Sequence, residues 1–360
     1  AHRTACYAGA SPAANSQGSC ACRARALHAG LRKGWKPEYG VKKSSWRRAL
    51  LAGGAAVGAA ATFNALASRG VAPLENLISG DDAWFDWRGR RLFYSHRKPR
   101  TGKARPVLLL HGIHAAAWSY EWRSNVDALA ESHEVYALDL LGFGMSARPQ
   151  AKYSARLYLR LIDDFARHAI GHPTTLIASS LTAAYAAVLG ARDPGQYPSL
   201  VLIEPTGLVR RNGAATTRGE VARLVVDAPV VGPAVFNALA SRRSLRYWLE
   251  RAYVDLEFVT PELVDIYYRA AHQPGARHAP AAFFSGHLNL DVRGAVRRLR
   301  QPVMLIWGEQ AVETPVEDAR GFLALNQGIQ LTILDPAGML PHDEQAAEFN
   351  AVVTKFLAEA

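Results

Sequence analysis

The chain has 360 residues, 49% of them hydrophobic, and carries 42 Lys and Arg against 31 Asp and Glu, a formal charge of +11. That length and apolar content suit one large α/β domain with an inserted subdomain, and they exclude a disordered or fibrous protein. Ten of the bases lie in the first 48 residues with Glu38 as the single acid; removing them leaves 32 bases against 30 acids, so the body is nearly neutral and no nucleic-acid partner is expected.

Residues 1–43 are rich in Ala, Arg and Ser, nearly free of acids, and hold all three cysteines, Cys6, Cys20 and Cys22. This is the composition of a transit-like leader or of a basic tail. The body has no thiol for a disulfide, a metal or a nucleophile. Over 44–69, Arg47-Arg48 is followed by an uncharged Ala/Gly-rich run and by Ala65-Leu66-Ala67, a small-x-small sequence before Ser68. The pattern reads as a twin-arginine signal, with a retained membrane anchor as the second reading; three glycines, Thr62 and Asn64 weaken it as a span. A transit-like segment ahead of such a signal is a two-stage address, which points to a chloroplast and its thylakoid, in the lumen or on the membrane. A bacterial periplasm or membrane is the alternative, but a bacterial signal does not need some forty residues before its arginines.

In the body, Trp84 to His96 alternates around Arg88-Gly89-Arg90 and predicts a β-hairpin. Pro106 to Leu110 is a short continuous apolar run, the mark of a strand buried on both faces, and it ends at His111-Gly112. A helix with Trp122, Val126 and Leu129 on one face should follow, then a strand over 135–138 and the glycine loop Gly142-Phe143-Gly144. Leu157, Leu161 and Phe165 predict a helix. A strand at 175–178, a helix at 181–192 and a strand at 200–204 complete the first part of the core, over 70–205. From 206 to 299 helical patterns replace the alternation and predict a cap, with Thr260-Pro261 as N-cap and first helical residue. Strands at 302–307 and 330–334 and a last helix through Phe349 and Phe356 form the second part of the core, 300–360. Alternating strands and helices predict a largely parallel sheet.

Five segments, LLLHGIHAAAWSYEW, VYALDLLGFGMSARP, LIASSLTAAYAAVLGARDPG, VMLIWGEQ and ILDPAGMLPHDE, resemble in order and spacing the landmarks of the α/β-hydrolase superfamily over residues 84–360. The resemblance implies an α/β fold with a mostly parallel eight-stranded sheet, flanking helices and an inserted helical cap. It also implies a nucleophile on a tight strand-to-helix turn, which falls on Ser180. Ala178 and Thr182 stand where the motif usually has glycines, and the β-branched Thr182 is expected to tilt the turn. Ser180 can equally be a hydroxyl satisfied by backbone. The implied oxyanion donors are the amides of Ile113 and Leu181.

The sequence departs from the family at two further places. Ala311 stands where an aspartate is usual, and Met339 stands where the catalytic histidine is usual; a thioether cannot relay a proton. Glu204 falls where some family members carry an alternative acid, although it can as well cap the strand end. His342 is the nearest substitute imidazole, and the cap offers His272, His278 and His287. His111, Gly112, Trp118, Phe143 and Met339 are the expected pocket residues, with Tyr120 beside them. No cofactor-binding pattern is present: Gly142-Phe143-Gly144 lacks the third glycine of a dinucleotide loop, and no metal motif is formed.

Two functions follow from these residues. In the first, Ser180 attacks an ester or similar carbonyl of a small apolar or lipid-like ligand, with Glu204 orienting His342 or a cap histidine. In the second, an inactive member of the fold binds a ligand or serves a membrane complex as an accessory or assembly factor.

Overall fold

The computed structural model describes residues 43–101, 104–208, 221, 224–226 and 228–360. The transit-like leader and its cysteines therefore lie outside the described residues, save Lys43. The chain divides into a leader unit, 1–49, and a body, 50–360. Of the leader unit, the described part is the opening of helix α1 (Lys43–Ser68). The uncharged stretch expected as signal or anchor is thus helical, in keeping with the high helix propensity of its alanines. Within α1, Leu51–Ser68 has a mean hydropathy of 1.3, is not buried by the rest of the protein, and is by length and composition apolar enough to cross a membrane.

The body is an eight-stranded sheet. Strands β1 (Asp81–Asp86) and β2 (Arg91–Arg97) form the expected hairpin, and β3 (Ala104–Leu110), β4 (His133–Leu138), β5 (Thr175–Ser179), β6 (Leu200–Ile203), β7 (Val303–Gly308) and β8 (Gln330–Leu334) follow. Their order is β1-β2-β4-β3-β5-β6-β7-β8; β2 is antiparallel to β1 and to β4, and every other pair is parallel. β3 is flanked by β4 on one side and β5 on the other. The direction of winding reverses there, so the loops after β3 and β5 meet over the carboxyl edge of the sheet, where ligands bind in open α/β sheets.

Continuous apolar runs made the central strands legible because both of their faces are covered. Leu108, Leu110, Ala178, Leu202 and Leu305 point into a layer with α3 (Ala155–Phe165) and α4 (Ser180–Arg192). Val107, Leu109, Ile177, Val201 and Ile306 point into the other layer, against Trp122, Val126, Phe349 and Val353. Burying each such leucine or isoleucine contributes about 1.5–3 kcal/mol. The helix expected after His111 is instead a 3₁₀ turn, Ser119–Trp122, followed by the single turn α2 (Val126–Leu129).

Between β6 and β7 the described cap elements are α5 (Val231–Leu239), α6 (Arg242–Ala252), α7 (Pro261–Ala271), α8 (His278–Phe284) and α9 (Arg293–Val296). Thr260 caps α7 as expected, its hydroxyl accepting from Leu263 N at 3.1 Å with Pro261 as the first helical residue. The cap has its own apolar cluster, in which Phe236, Leu245, Leu249, Leu263 and Tyr267 pack with Trp118 from the loop after β3. After β7, helix α10 (Ala319–Leu325) leads to β8, and α11 (Pro341–Glu344) and α12 (Ala346–Glu359) close the chain.

Candidate active site

Ser180 stands between the end of β5 and the first turn of α4 with φ 54°, the left-handed region that a residue with a Cβ adopts at a cost of about 1–3 kcal/mol. Its neighbours Ser179 and Leu181 are buried at 4% and 2% exposure, whereas Ser180 itself is half-buried. Among the described residues no hydrogen bond holds its hydroxyl. Thr182 is accommodated in this turn. Its Oγ1 donates within reach of Ser179 O at 2.7 Å, His111 O at 3.0 Å and Leu110 O at 3.1 Å, so the branched side chain stitches the turn to the end of β3.

The loop after β3 passes directly beside this turn, because Leu110 pairs with Ala178 in the parallel register. His111 is held within the loop: Nδ1–H donates to Gly112 O at 2.6 Å, and Nε2 accepts from Leu140 N at 3.1 Å. Phe143 packs edge-on to it. Gly112 faces Ser180 closely enough that a Cβ built on it would lie 3.8 Å from the Ser180 Cβ and 3.5 Å from Ser179 Oγ. Neither the Ile113 amide nor the Leu181 amide donates a hydrogen bond among the described residues. Leu181 N is one of the four free amides at the start of α4, where the helix dipole adds positive potential.

Glu121 belongs to no local motif and was missed in the sequence. It is 3% exposed, its Oε2 accepts from Gly112 N at 2.9 Å, and its Oε1 lies 3.2 Å from His342 Nε2. Burial opposes its ionisation, but His342 above all, with His111 and His114, outweighs burial and holds the carboxyl at about 2. His114 lies on the same loop, where Nδ1 accepts from Ala116 N at 3.3 Å and the ring stacks on Tyr267 of the cap. Burial lowers its pKa to about 4, with Glu121 pulling the other way, so the ring is neutral near pH 7. Asp139 supports both loops by accepting from Ser119 N and Met145 N, each at 2.7 Å.

The structure does not bring the remaining expected residues to Ser180. His342 is fully buried between Trp122 and Phe349, at ring separations of 4.7 and 5.8 Å, and no hydrogen bond joins it to the serine. It meets Glu121 instead, because Asn125 holds its carbonyl at 2.7 Å and fixes the turn facing inward. Glu204 orients no imidazole. Its Oε1 accepts from Gly308 N at 3.2 Å and its Oε2 lies 2.6 Å from Thr314 Oγ1, so it ties the end of β6 to the loop after β7. Burial pushes its carboxyl up to about 8 against both of these bonds. Met339 is half-buried against the main core, with its amide bonded to Ala252 O at 2.7 Å, and Ala311 is buried at 6%. Trp118 stacks on Tyr120 and is buried under the cap, so it braces the pocket roof. Of the cap histidines, His272 Nδ1 bonds to Tyr268 O and His287 Nδ1 to Ser285 Oγ; neither bonds to Ser180.

The sheet order and the strained serine turn at the end of β5 together define a hydrolase-type scaffold. The model of the alpha/beta hydrolase family matches residues 107–352, and the chain belongs to that family. It is 28% identical over 276 residues to the 2-hydroxymuconate semialdehyde hydrolase of Pseudomonas sp. strain CF600, covering 72% of this chain and 89% of that one. It is 27% identical over 289 residues to the dihydrolipoyllysine-residue acetyltransferase component of the acetoin cleaving system of Cupriavidus necator, covering 76% and 68%. Among solved structures, the serine hydrolase CarC of carbazole degradation superposes with a TM-score of 0.63 at 21% identity, covering 78% of this chain and all of that one. A bacterial membrane phospholipase A superposes with a TM-score of 0.62 at 22% identity, covering 88% and 97%. These two likenesses speak to the fold.

Proposed function

We propose that the protein is a divergent serine hydrolase that cleaves an ester or similar carbonyl of an apolar substrate, with Ser180 as nucleophile. The observation that carries this reading is the backbone of Ser180: a left-handed serine held at energetic cost, with a free hydroxyl, beside two amides free to receive an oxyanion. Attack by Ser180 Oγ on the carbonyl carbon places negative charge on the carbonyl oxygen, which the Ile113 and Leu181 amides stabilise. Collapse expels the alcohol or equivalent leaving group, and water then cleaves the acyl-serine. The hydrolases among the relatives support carbonyl chemistry, and the apolar cap supports an apolar acyl chain.

The proton from Ser180 has no acceptor at Met339. The proton passes instead to solvent, which the half-buried hydroxyl reaches, while Glu121 holds the loop beside the serine in place through Gly112 N. Catalysis without an imidazole at the usual position is expected to be slower by about 10²–10⁴-fold than in a complete triad. The test is hydrolysis of p-nitrophenyl esters of increasing chain length by the wild type and Ser180→Ala. Turnover that rises with chain length and vanishes in the variant supports the reading; turnover unchanged by the variant rejects it.

A further inference from the structure

We propose that a cavity between the end of α1 and the cap binds a phosphoglycerol group, a phosphate with a neighbouring hydroxyl, carried on a lipid or as the free ester. The cavity has a volume of about 330 Å³, at the small end of the range for ligand sites, and no part of the serine site lines it. Asn64 and Ser68 of α1, Phe236 and Asn237 of α5, and His272 and Arg277 beyond α7 form its walls.

Those walls are fixed by hydrogen bonds between α1 and the cap. Asn64 Nδ2 donates to Val230 O at 2.8 Å, and Asn237 Nδ2 donates to Asn64 Oδ1 at 3.1 Å. Tyr268 OH donates to Ala67 O, and just beyond the helix Gln273 Nε2 donates to Ala72 O, each at 2.8 Å.

Two polar groups in the walls lack partners. His272 is 7% exposed and stacks on Tyr268 at 3.8 Å. Its Nδ1 donates to the Tyr268 carbonyl at 2.9 Å, which leaves Nε2 as a buried acceptor with no donor. Burial lowers the pKa of this ring, so it stays neutral and Nε2 keeps its lone pair. The Nε of Arg277 is buried and also unpartnered, and among the described residues no acid pairs with its guanidinium. A buried acceptor asks for a hydroxyl, and an unpaired guanidinium asks for an anion such as phosphate. The phosphoglycerol group supplies both on adjacent carbons. Phe63 and Leu66, on the same turns of α1 as Asn64 and Ser68, are exposed, as is Leu239 of α5, so acyl chains would find apolar surface on these elements.

The experiment is calorimetric titration of the full chain in detergent micelles with dihexanoylphosphatidylglycerol, dihexanoylphosphatidylcholine and glycerol 3-phosphate. The phosphatidylglycerol is expected to bind at least about tenfold more tightly than the phosphatidylcholine. Arg277→Gln should weaken it by about tenfold or more, and Ser68→Phe, which fills the cavity from the α1 side, should abolish binding. Glycerol 3-phosphate binding as tightly as the lipid supports the site and assigns it to a soluble ester; much weaker binding supports the site and assigns it to a lipid. Equal affinity for the two lipids, or affinities untouched by both substitutions, would overturn the proposal.

Discussion

Ser180 and Met339 pull in opposite chemical directions, and their surroundings say which can be changed. The Met339 amide bonds to Ala252 O whatever side chain follows, and the loop is further held by Glu344, whose Oε2 accepts from Gly338 N at 2.7 Å. Met339→His should therefore leave the loop in place and return an imidazole to the family's position; adding Ala311→Asp should orient it. The expected outcome is an increase of about 10²-fold or more in the rate of ester hydrolysis by the double variant, measured under single-turnover conditions. An unchanged rate would show that the serine is not limited by its missing base. Ser180, Ile113 and Met339 could be placed on their loops from the sequence because each belongs to a short local motif. Glu121 was not, since its partners Gly112 and His342 lie 9 and 221 residues away and only the folded chain assembles them. For the same reason His342 read as a substitute base, although tertiary contacts turn it into the core.

The strands β3 and β5 to β7 were legible as elements because burial on both faces writes itself as an uninterrupted apolar run. The helix expected to carry Trp122, Val126 and Leu129 on one face was not. Ser119 N is drawn to Asp139 and the Asn125 side chain to His342 O and Asn350, and these distant bonds compete with a continuous helix. Glu204 likewise acts between elements, joining β6 to the loop after β7. Its folded pKa of about 8 lies above the ordinary value of 4.5 expected once the chain unfolds. The stability associated with it is thus fully present below about pH 4.5 and is lost as pH rises through 8, with a magnitude on the order of 5 kcal/mol. Urea unfolding at pH 5 and pH 8.5 should show this loss in the wild type and a flatter profile in Glu204→Gln. Parallel profiles in the two proteins would contradict a buried, protonated Glu204.

At the scale of the molecule, an α/β-hydrolase body presents a strained serine under a helical cap, and an apolar helix is bonded to that cap through Asn64 and Ala67. The fold was legible because its landmarks recur in fixed order. The seating of α1 was not, because composition alone gives a signal sequence and an anchor the same pattern. Whether the body is a catalyst turns on one hydroxyl. The most direct measurement is fluorophosphonate labelling of the full chain followed by intact mass, with Ser180→Ala as control. One adduct per chain that disappears in the control is the predicted result, and a folded wild-type protein that takes up no label would contradict an activated Ser180.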